Sequence, residues 1–102
     1  MKLYLSGPMT GRPQLNYPAF FEEATRLRTL GYTVMNPAEL GLNMDVPWSE
    51  CMRSAVRLLL DCQGVAMLPA WQGSRGARLE RRLAEELHML VLDAHSIELG
   101  PQ

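Results

Sequence analysis

The chain has few of the features that mark nucleic-acid-binding or metal-binding proteins. Its 10 lysines and arginines against 11 aspartates and glutamates give a net charge of -1, with no basic run or stripe, so we expect no nucleic-acid duplex as a partner. The two cysteines, Cys51 and Cys62, form no CxxC pair, and His88 and His95 do not complete a zinc-ligand spacing. We therefore expect free, partly buried thiols, and neither a metal site nor a cofactor.

Long apolar segments are also missing. The apolar run from Val56 to Leu60 is interrupted by Arg57, and uninterrupted runs such as Val65 to Leu68 are far shorter than a membrane span. The first residues lack the apolar core of a signal peptide. The glycine motifs GxxxxGK[ST] and GxGxxG are absent, which removes the main support for a nucleoside-triphosphate or dinucleotide site. These features predict a soluble protein of the reducing cytoplasm without a membrane partner.

What the sequence does contain is a regular alternation of strand and helix patterns. At 102 residues the chain has the length of one domain, which we place at residues 1–93 with a tail at 94–102. That tail is expected to be a final short element, a dimer contact or disordered. The alternation predicts an α/β fold, with a parallel sheet of four to five strands, right-handed crossovers and helices on both faces. The predicted strands are Lys2–Ser6, Tyr32–Met35, Gly64–Leu68 and Met89–Leu92, and the predicted helices are Tyr17–Leu30, Pro47–Leu60 and Ser74–Leu87.

Glu80 is a carboxylate on the apolar face of the third predicted helix. At about 100° per residue, it falls in the middle of the arc that carries Ala77, Leu83, Ala84 and Leu87. A carboxylate that faces inward costs desolvation free energy unless it has a use. Glu80 is therefore the first candidate for a functional residue.

Two glycine-containing loops follow the first and third predicted strands. They span Ser6 to Arg12 and Pro69 to Gly76. Ligands of open parallel sheets bind beyond the carboxyl ends of the strands, near the point where strand order reverses. Glycine backbone N–H groups, hydroxyl groups and a helix N-terminus suit a phosphate or a sugar hydroxyl. We therefore predict a ligand site formed by these loops together with Glu80.

Two aromatic residues are candidates for the same site. Strand alternation places Tyr4 on the same side as Ser6, so its phenol is able to hydrogen-bond the carboxylate of Glu80 and fix its rotamer. Trp71 is a candidate for stacking on a flat ring, whereas Trp48 is expected to pack at a helix start. For Tyr4 and Trp71, packing against the core is the alternative interpretation.

Several motifs together resemble the nucleoside 2-deoxyribosyltransferase-like superfamily, most closely its small, single-domain branch. The resemblance covers the chain up to about Leu92. Its most specific parts are the opening motif and the SRGAxxE segment. The matching segments are Tyr4 to Gly11, Asn36-Pro37, Asp61-Cys62, Val65 to Pro69, Trp71, and Ser74 to Ala77 with Glu80.

The resemblance implies a flavodoxin-like sheet, a homodimer or higher homo-oligomer with composite sites, and cleavage of N-glycosidic bonds in deoxynucleosides or their 5'-monophosphates. It implies that Glu80 is the nucleophile, that Tyr4 orients it, and that Ser74 helps to hold a 5'-phosphate. In such chemistry the carboxylate attacks the anomeric carbon, and water or a second base resolves the glycosyl–enzyme ester. The substrate-binding residues expected on these grounds are Ser6, Gly7, Met9, Thr10, Gly11, Arg12, Asn36, Trp71, Ser74 and Gly76.

One departure from the family pattern concerns proton delivery to the leaving base. The family usually has an aspartate in the helix before the third strand, where this chain has Ser54-Ala55. Asp61 matches a different acidic position, and Asp45 or Glu50 is the other possible source of an acid. The sequence therefore leaves three functions open: an N-glycosidase or deoxyribosyltransferase, a non-catalytic nucleotide-binding or sensing module, and a structural oligomerising domain.

Overall fold

The fold is an open parallel α/β sheet, seen in a computed structural model that describes residues 1–40 and 46–102. Within those residues the strands and helices alternate as the sequence pattern predicts, and most of their ends lie within one residue of the expected positions. The elements are β1 Lys2–Ser6, α1 Tyr17–Thr29, β2 Thr33–Met35, α2 Trp48–Leu60, β3 Gly64–Met67, α3 Arg75–Glu86 and β4 Leu90–Asp93.

The sheet has the strand order β2-β1-β3-β4, and every adjacent pair is parallel. The order reverses between β1 and β3, because β1 connects outward to β2 while β3 connects outward to β4. This arrangement confirms the predicted flavodoxin-like fold class, with four strands in the described part of the chain. The carboxyl ends of β1 and β3 are therefore the expected position of a ligand site.

Side chains of β1 alternate between two hydrophobic cores, one on each face of the sheet. Leu3 and Leu5 belong to a core that includes Phe20 and Leu27 of α1. Tyr4 belongs to the other core, which α2 and α3 cover with Leu59, Ala77 and Ala84. Because strand side chains alternate with a period of two, Ser6 points to the same face as Tyr4.

The ends of the helices differ in detail from the sequence prediction. Helix α2 begins at Trp48, one residue later than predicted, and Pro47 is its N-cap. Pro37–Leu40, for which no helix was predicted, forms a 3₁₀ helix. Leu87, predicted on the inward arc of α3, is 53% exposed. Its backbone is no longer helical, with φ −94° and ψ 10°, so the helical projection does not describe the direction of its side chain.

The segment after β4 packs against the rest of the molecule. It begins with a 3₁₀ helix at Ala94–Ser96, and Ala94 and Ile97 are buried in the α1 core. Two guanidinium nitrogens of Arg26 donate to the carbonyl oxygens of Ala94 and Ile97, each at 2.7 Å. Of the three expectations for this segment, the structure has the short final element; the domain division at residue 93 stays a prediction.

Candidate active site

A cavity of about 720 Å³ opens where the carboxyl end of β1 meets the start of α3. Its floor is formed by Tyr4 and Glu80. The loop after β1, from Gly7 to Arg12, and the start of α3, from Gly73 to Ala77, also line it. The cavity therefore joins both glycine-containing loops to the inward carboxylate.

Glu80 is buried, with 5% of its surface exposed, and both of its carboxylate oxygens accept hydrogen bonds. The Tyr4 hydroxyl donates to Oε2, and the Ser6 hydroxyl donates to Oε1 at 2.7 Å. Both donors come from the β1 face that α3 covers. The strand alternation of β1 and the helical phase of α3 therefore fix the orientation of the carboxylate.

The pKa values of this buried pair are shifted by the environment. Burial raises the pKa of Glu80 from 4.5 to about 7, while the hydrogen bonds from Tyr4 and Ser6 act in the opposite direction. Burial also raises the pKa of Tyr4 well above its usual value of 10, with a further contribution from the charge of Glu80. Tyr4 is therefore a hydroxyl donor throughout the neutral pH range, and Glu80 exchanges its proton near pH 7.

The start of α3 gives the cavity a polar, electropositive side. The Ser74 side chain caps the helix by accepting a hydrogen bond from the Ala77 N–H at 3.2 Å. First-turn N–H groups of a helix have no intrahelical partner, and the helix dipole favours an anion there. Arg12 and Arg75, which carry positively charged guanidinium groups, also line the cavity. This side suits a negatively charged group.

The side formed by α2 is apolar and was not predicted from the sequence. Trp48, Cys51, Met52 and Ala55 line it, at the i, i+3, i+4 and i+7 spacing of one helix face. The Arg75 guanidinium carbon lies 3.8 Å from the centroid of the Trp48 ring. Trp48 does start a helix as expected, but the same helical phase would have placed it in this wall.

The structure brings most of the predicted site residues together. Nine of them line the cavity: Tyr4, Gly7, Met9, Thr10, Gly11, Arg12, Ser74, Gly76 and Glu80. Ser6 lies beneath the cavity, where it holds Glu80. Asn36 is buried, and its Oδ1 accepts a hydrogen bond from the Ala38 N–H at 3.0 Å, although the adjacent Pro37 lines the cavity.

Trp71 is the predicted site residue that the structure places elsewhere. It lines a separate depression of about 270 Å³, together with Asp93 and His95. The Arg81 guanidinium carbon lies 4.3 Å from its ring centroid. Trp71 follows Ala70, whose backbone is left-handed at φ 65°. A loop conformation of this kind cannot be predicted from residue spacing, so the direction of the indole was not predictable.

The candidate acids identified in the sequence do not face the cavity in the described part of the chain. Ala55 lines the α2 wall, Glu50 is exposed in the first turn of α2, and Asp61 is the exposed C-cap of that helix. Asp45 lies outside the described residues. Glu80 is thus the carboxylate that the described residues contribute to the cavity lining.

No group of three or more potential metal ligands occurs among the described residues. Both cysteines are free thiols, Cys51 half-buried and Cys62 buried. Across residues 1–40 and 46–102, no helix has the length and apolar character needed to cross a membrane.

Comparison with known proteins places the fold among the nucleoside 2-deoxyribosyltransferase-like proteins. The chain is similar to a solved structure of the 2-deoxyribosyltransferase from the psychrotolerant bacterium Bacillus psychrosaccharolyticus, with a TM-score of 0.68 and 20% identity. The alignment covers 89% of this chain and 69% of that chain. Residues 1–93 match the family described as domain of unknown function DUF4406, and the chain belongs to that family. No curated protein matches it.

Proposed function

We propose that this protein cleaves or transfers the N-glycosidic bond of a deoxynucleoside or a deoxynucleoside 5'-monophosphate, with Glu80 as the nucleophile. The observation that carries the proposal is a buried carboxylate on the floor of a cavity, with a hydroxyl donor on each oxygen. The similar solved structure is of a 2-deoxyribosyltransferase, described as a biocatalyst for the synthesis of nucleosides, which supports the same reaction class.

In the proposed first step, an oxygen of ionised Glu80 attacks the anomeric carbon while the bond from that carbon to the base nitrogen breaks. The base leaves with the bonding electrons, and a glycosyl ester of Glu80 is formed. Water or a second base then attacks the same carbon and frees the carboxylate; the proton that this attacking group loses to solvent balances the one that the released base takes up. Tyr4 and Ser6 act as positioning residues, since their hydroxyls hold the carboxylate in one rotamer and favour its ionised form.

The electropositive side of the cavity supports a phosphate-bearing substrate. Ser74 and Gly76 lie at the start of α3, and Thr10 and Arg12 lie in the loop after β1; all four line the cavity. In this proposal the 5'-phosphate lies between the two loops, and the sugar places its anomeric carbon over Glu80. Deoxynucleoside 5'-monophosphates are then bound more tightly than the corresponding deoxynucleosides.

The proposal is tested by incubating the purified protein with deoxynucleosides and their 5'-monophosphates and measuring free base by chromatography. Wild type releases base from at least one substrate, and Glu80→Gln lowers the rate by about a thousandfold or more. Glu85→Gln, an exposed carboxylate on the same helix, is the matched control and leaves the rate unchanged. If wild type and Glu80→Gln are indistinguishable on every substrate, the enzymatic proposal is wrong.

A non-catalytic nucleotide-binding module is the second candidate function. The apolar α2 wall, with Ala55 at the position expected to carry an acid, is the observation in its favour. Calorimetry with deoxynucleoside monophosphates separates the two candidates. Binding without release of base supports the module, whereas binding with release supports the enzyme.

We further propose that the protein acts in the cytoplasm as a homodimer or larger homo-oligomer. Light scattering coupled to gel filtration measures the molar mass in solution. A mass of a single 11.5 kDa chain at micromolar concentration would contradict the oligomeric proposal.

A further inference from the structure

The cavity has two walls of different chemistry, and Glu80 lies on the floor between them. The loop after β1 and the start of α3 contribute hydroxyls, glycines and two arginines, together with the apolar Pro8 and Met9. The α2 side carries an indole, a thiol, a thioether and a methyl group, from Trp48, Cys51, Met52 and Ala55. A ligand bound over Glu80 therefore meets polar groups from the two loops and an apolar surface from α2.

The apolar wall is held close to the start of α3. Arg75 lies over one face of the Trp48 indole, a cation–π contact that holds the plane of the ring. Gly76 permits the close approach of the two helices, because a Cβ atom there would lie 3.1 Å from Met52 Sδ and 4.0 Å from Trp48 Nε1. Trp48 and Met52 thus form a fixed, polarisable surface beside the polar end of the cavity.

We propose that Trp48 and Met52 recognise the nucleobase by the face of its ring, and that the hydrogen-bonding edge of the base contributes little to selectivity. This inference rests on the proposed function, and it assigns a base subsite to the α2 wall. Indole rings stack on any nucleobase, because every base has a π-face. Thioether sulfur also makes favourable contacts with aromatic rings. The Cys51 thiol lies 3.8 Å from the carbonyl oxygen of Val46, so its weak donor already has a partner in the chain just before α2.

If the subsite binds the ring face, the protein should bind bases that differ only in exocyclic groups with similar dissociation constants. A site built to hydrogen-bond a substrate group rejects the analogue that lacks it by factors of about 10⁴ to 10⁵. A stacking surface makes no such distinction. The 2'-deoxyribosides of adenine and of unsubstituted purine should therefore bind with dissociation constants within about threefold of each other.

Fluorescence gives a direct readout of contact with Trp48, because the chain has two tryptophans. In the double variant Glu80→Gln, Trp71→Phe the remaining tryptophan is Trp48, and turnover is blocked. Titration with either deoxyriboside should quench its emission, with a midpoint equal to the dissociation constant from calorimetry. Binding without quenching, or a preference of a hundredfold or more for adenine over purine, would overturn the proposal.

Substitution of the ring provides the second test, with Trp71 as a matched control outside the cavity. Trp48→Leu should weaken binding of both deoxyribosides about tenfold or more, whereas Trp48→Phe, which keeps a ring face, should stay within about threefold of wild type. Trp71→Leu should change neither dissociation constant. If Trp48→Leu fails to fold, as judged by circular dichroism, the Trp48→Phe titration and the fluorescence assay still show whether the Trp48 ring binds the base.

The outcomes separate this proposal from the catalytic one. If wild type releases base but Trp48→Leu binds as tightly as wild type, the base subsite is wrong and the catalytic proposal stands. If the deoxyribosides bind through Trp48 without release of base, the subsite stands and the catalytic proposal fails. If neither the deoxyribosides nor their 5'-monophosphates bind, both proposals fail.

Discussion

At the scale of single residues, the molecule places an ionisable carboxylate where its charge is costly. Burial raises the pKa of Glu80 to about 7, so near neutral pH the protonated and ionised forms coexist. The hydroxyls of Tyr4 and Ser6 stabilise the ionised form that a nucleophile requires. Burial of Glu80 therefore lowers the free energy of unfolding at neutral pH, and in the proposed reaction the same carboxylate is the reactive group.

Replacing Glu80 should therefore stabilise the fold in a pH-dependent way. Between pH 4.5 and about 7 the folded protein holds a proton on Glu80 that the unfolded chain has lost, so stability falls as pH rises through this window and is level above it. Glu80→Gln removes this loss. Its free energy of unfolding should exceed that of wild type by about 3 kcal/mol at pH 8, with the difference shrinking towards pH 5. Urea denaturation at both pH values measures it; an equal difference at both would contradict the assignment.

Tyr4→Phe should move the acid limb of the pH–rate profile. The variant removes a hydrogen bond that lowers the pKa of Glu80, so ionisation requires a higher pH. At pH 7 we expect a loss in kcat/KM of about tenfold, the equivalent of one charged hydrogen bond. Ser6→Ala, which removes the donor to the other oxygen, should shift the limb in the same direction. A uniform loss at every pH, with an unmoved limb, would mean that Tyr4 acts only through packing.

At the scale of elements, the loop after β1 reaches the cavity by packing closely against the chain that leaves β3. A Cβ atom at Gly7 would lie 2.7 Å from Leu68 Cβ, closer than side chains pack. Gly7→Ala should therefore lower the free energy of unfolding by about 1 to 3 kcal/mol. Gly73→Ala is the matched control, because a Cβ there meets nothing within 4 Å, and it should be nearly neutral. Thermal unfolding compares the two; equal effects would contradict the close packing.

Most of the elements were predictable, because their residues repeat with the period of their own structure. The inward position of Glu80 followed from helical phase, and its meeting with Tyr4 followed from strand alternation in a parallel sheet. The predicted positions of Leu87 and Trp71 were wrong because each residue lies next to a break in regular backbone geometry. Leu87 precedes His88, which has φ 56°, and Trp71 follows Ala70, which has φ 65°. The α2 side of the cavity was not predicted, because the apolar phase of a helix shows which side faces inward but not whether that side meets the core or a cavity.

At the scale of the whole molecule, one charged cluster ties the last residues to the first helix. Glu23 is buried in α1 with 5% of its surface exposed, and it forms an ion pair with Arg26. The His95 Nε2 atom lies 3.1 Å from Oε2 of Glu23. Since Arg26 also holds the carbonyl groups of Ala94 and Ile97, this side chain joins α1 to the segment after β4.

Arg26→Leu should destabilise the whole fold by about 2 kcal/mol, because it leaves a buried carboxylate without its main partner and two carbonyl groups without a donor. Hydrogen exchange should also accelerate in residues 94–97. Glu85→Gln, which breaks an exposed pair with Arg81, should cost no more than about 0.5 kcal/mol. Urea denaturation distinguishes them; similar small losses would show that the cluster is not needed to hold this segment.

The most direct test of the proposed activity is whether Glu80 itself becomes glycosylated. Wild-type protein is mixed with a deoxynucleoside 5'-monophosphate, quenched in acid within the first turnovers and digested for mass spectrometry. The proposal predicts a mass increase of one deoxyribosyl phosphate group on the peptide that contains Glu80, together with an equal amount of released base, and neither in Glu80→Gln. Release of base with no adduct on that peptide, at an equal rate in both proteins, would contradict it.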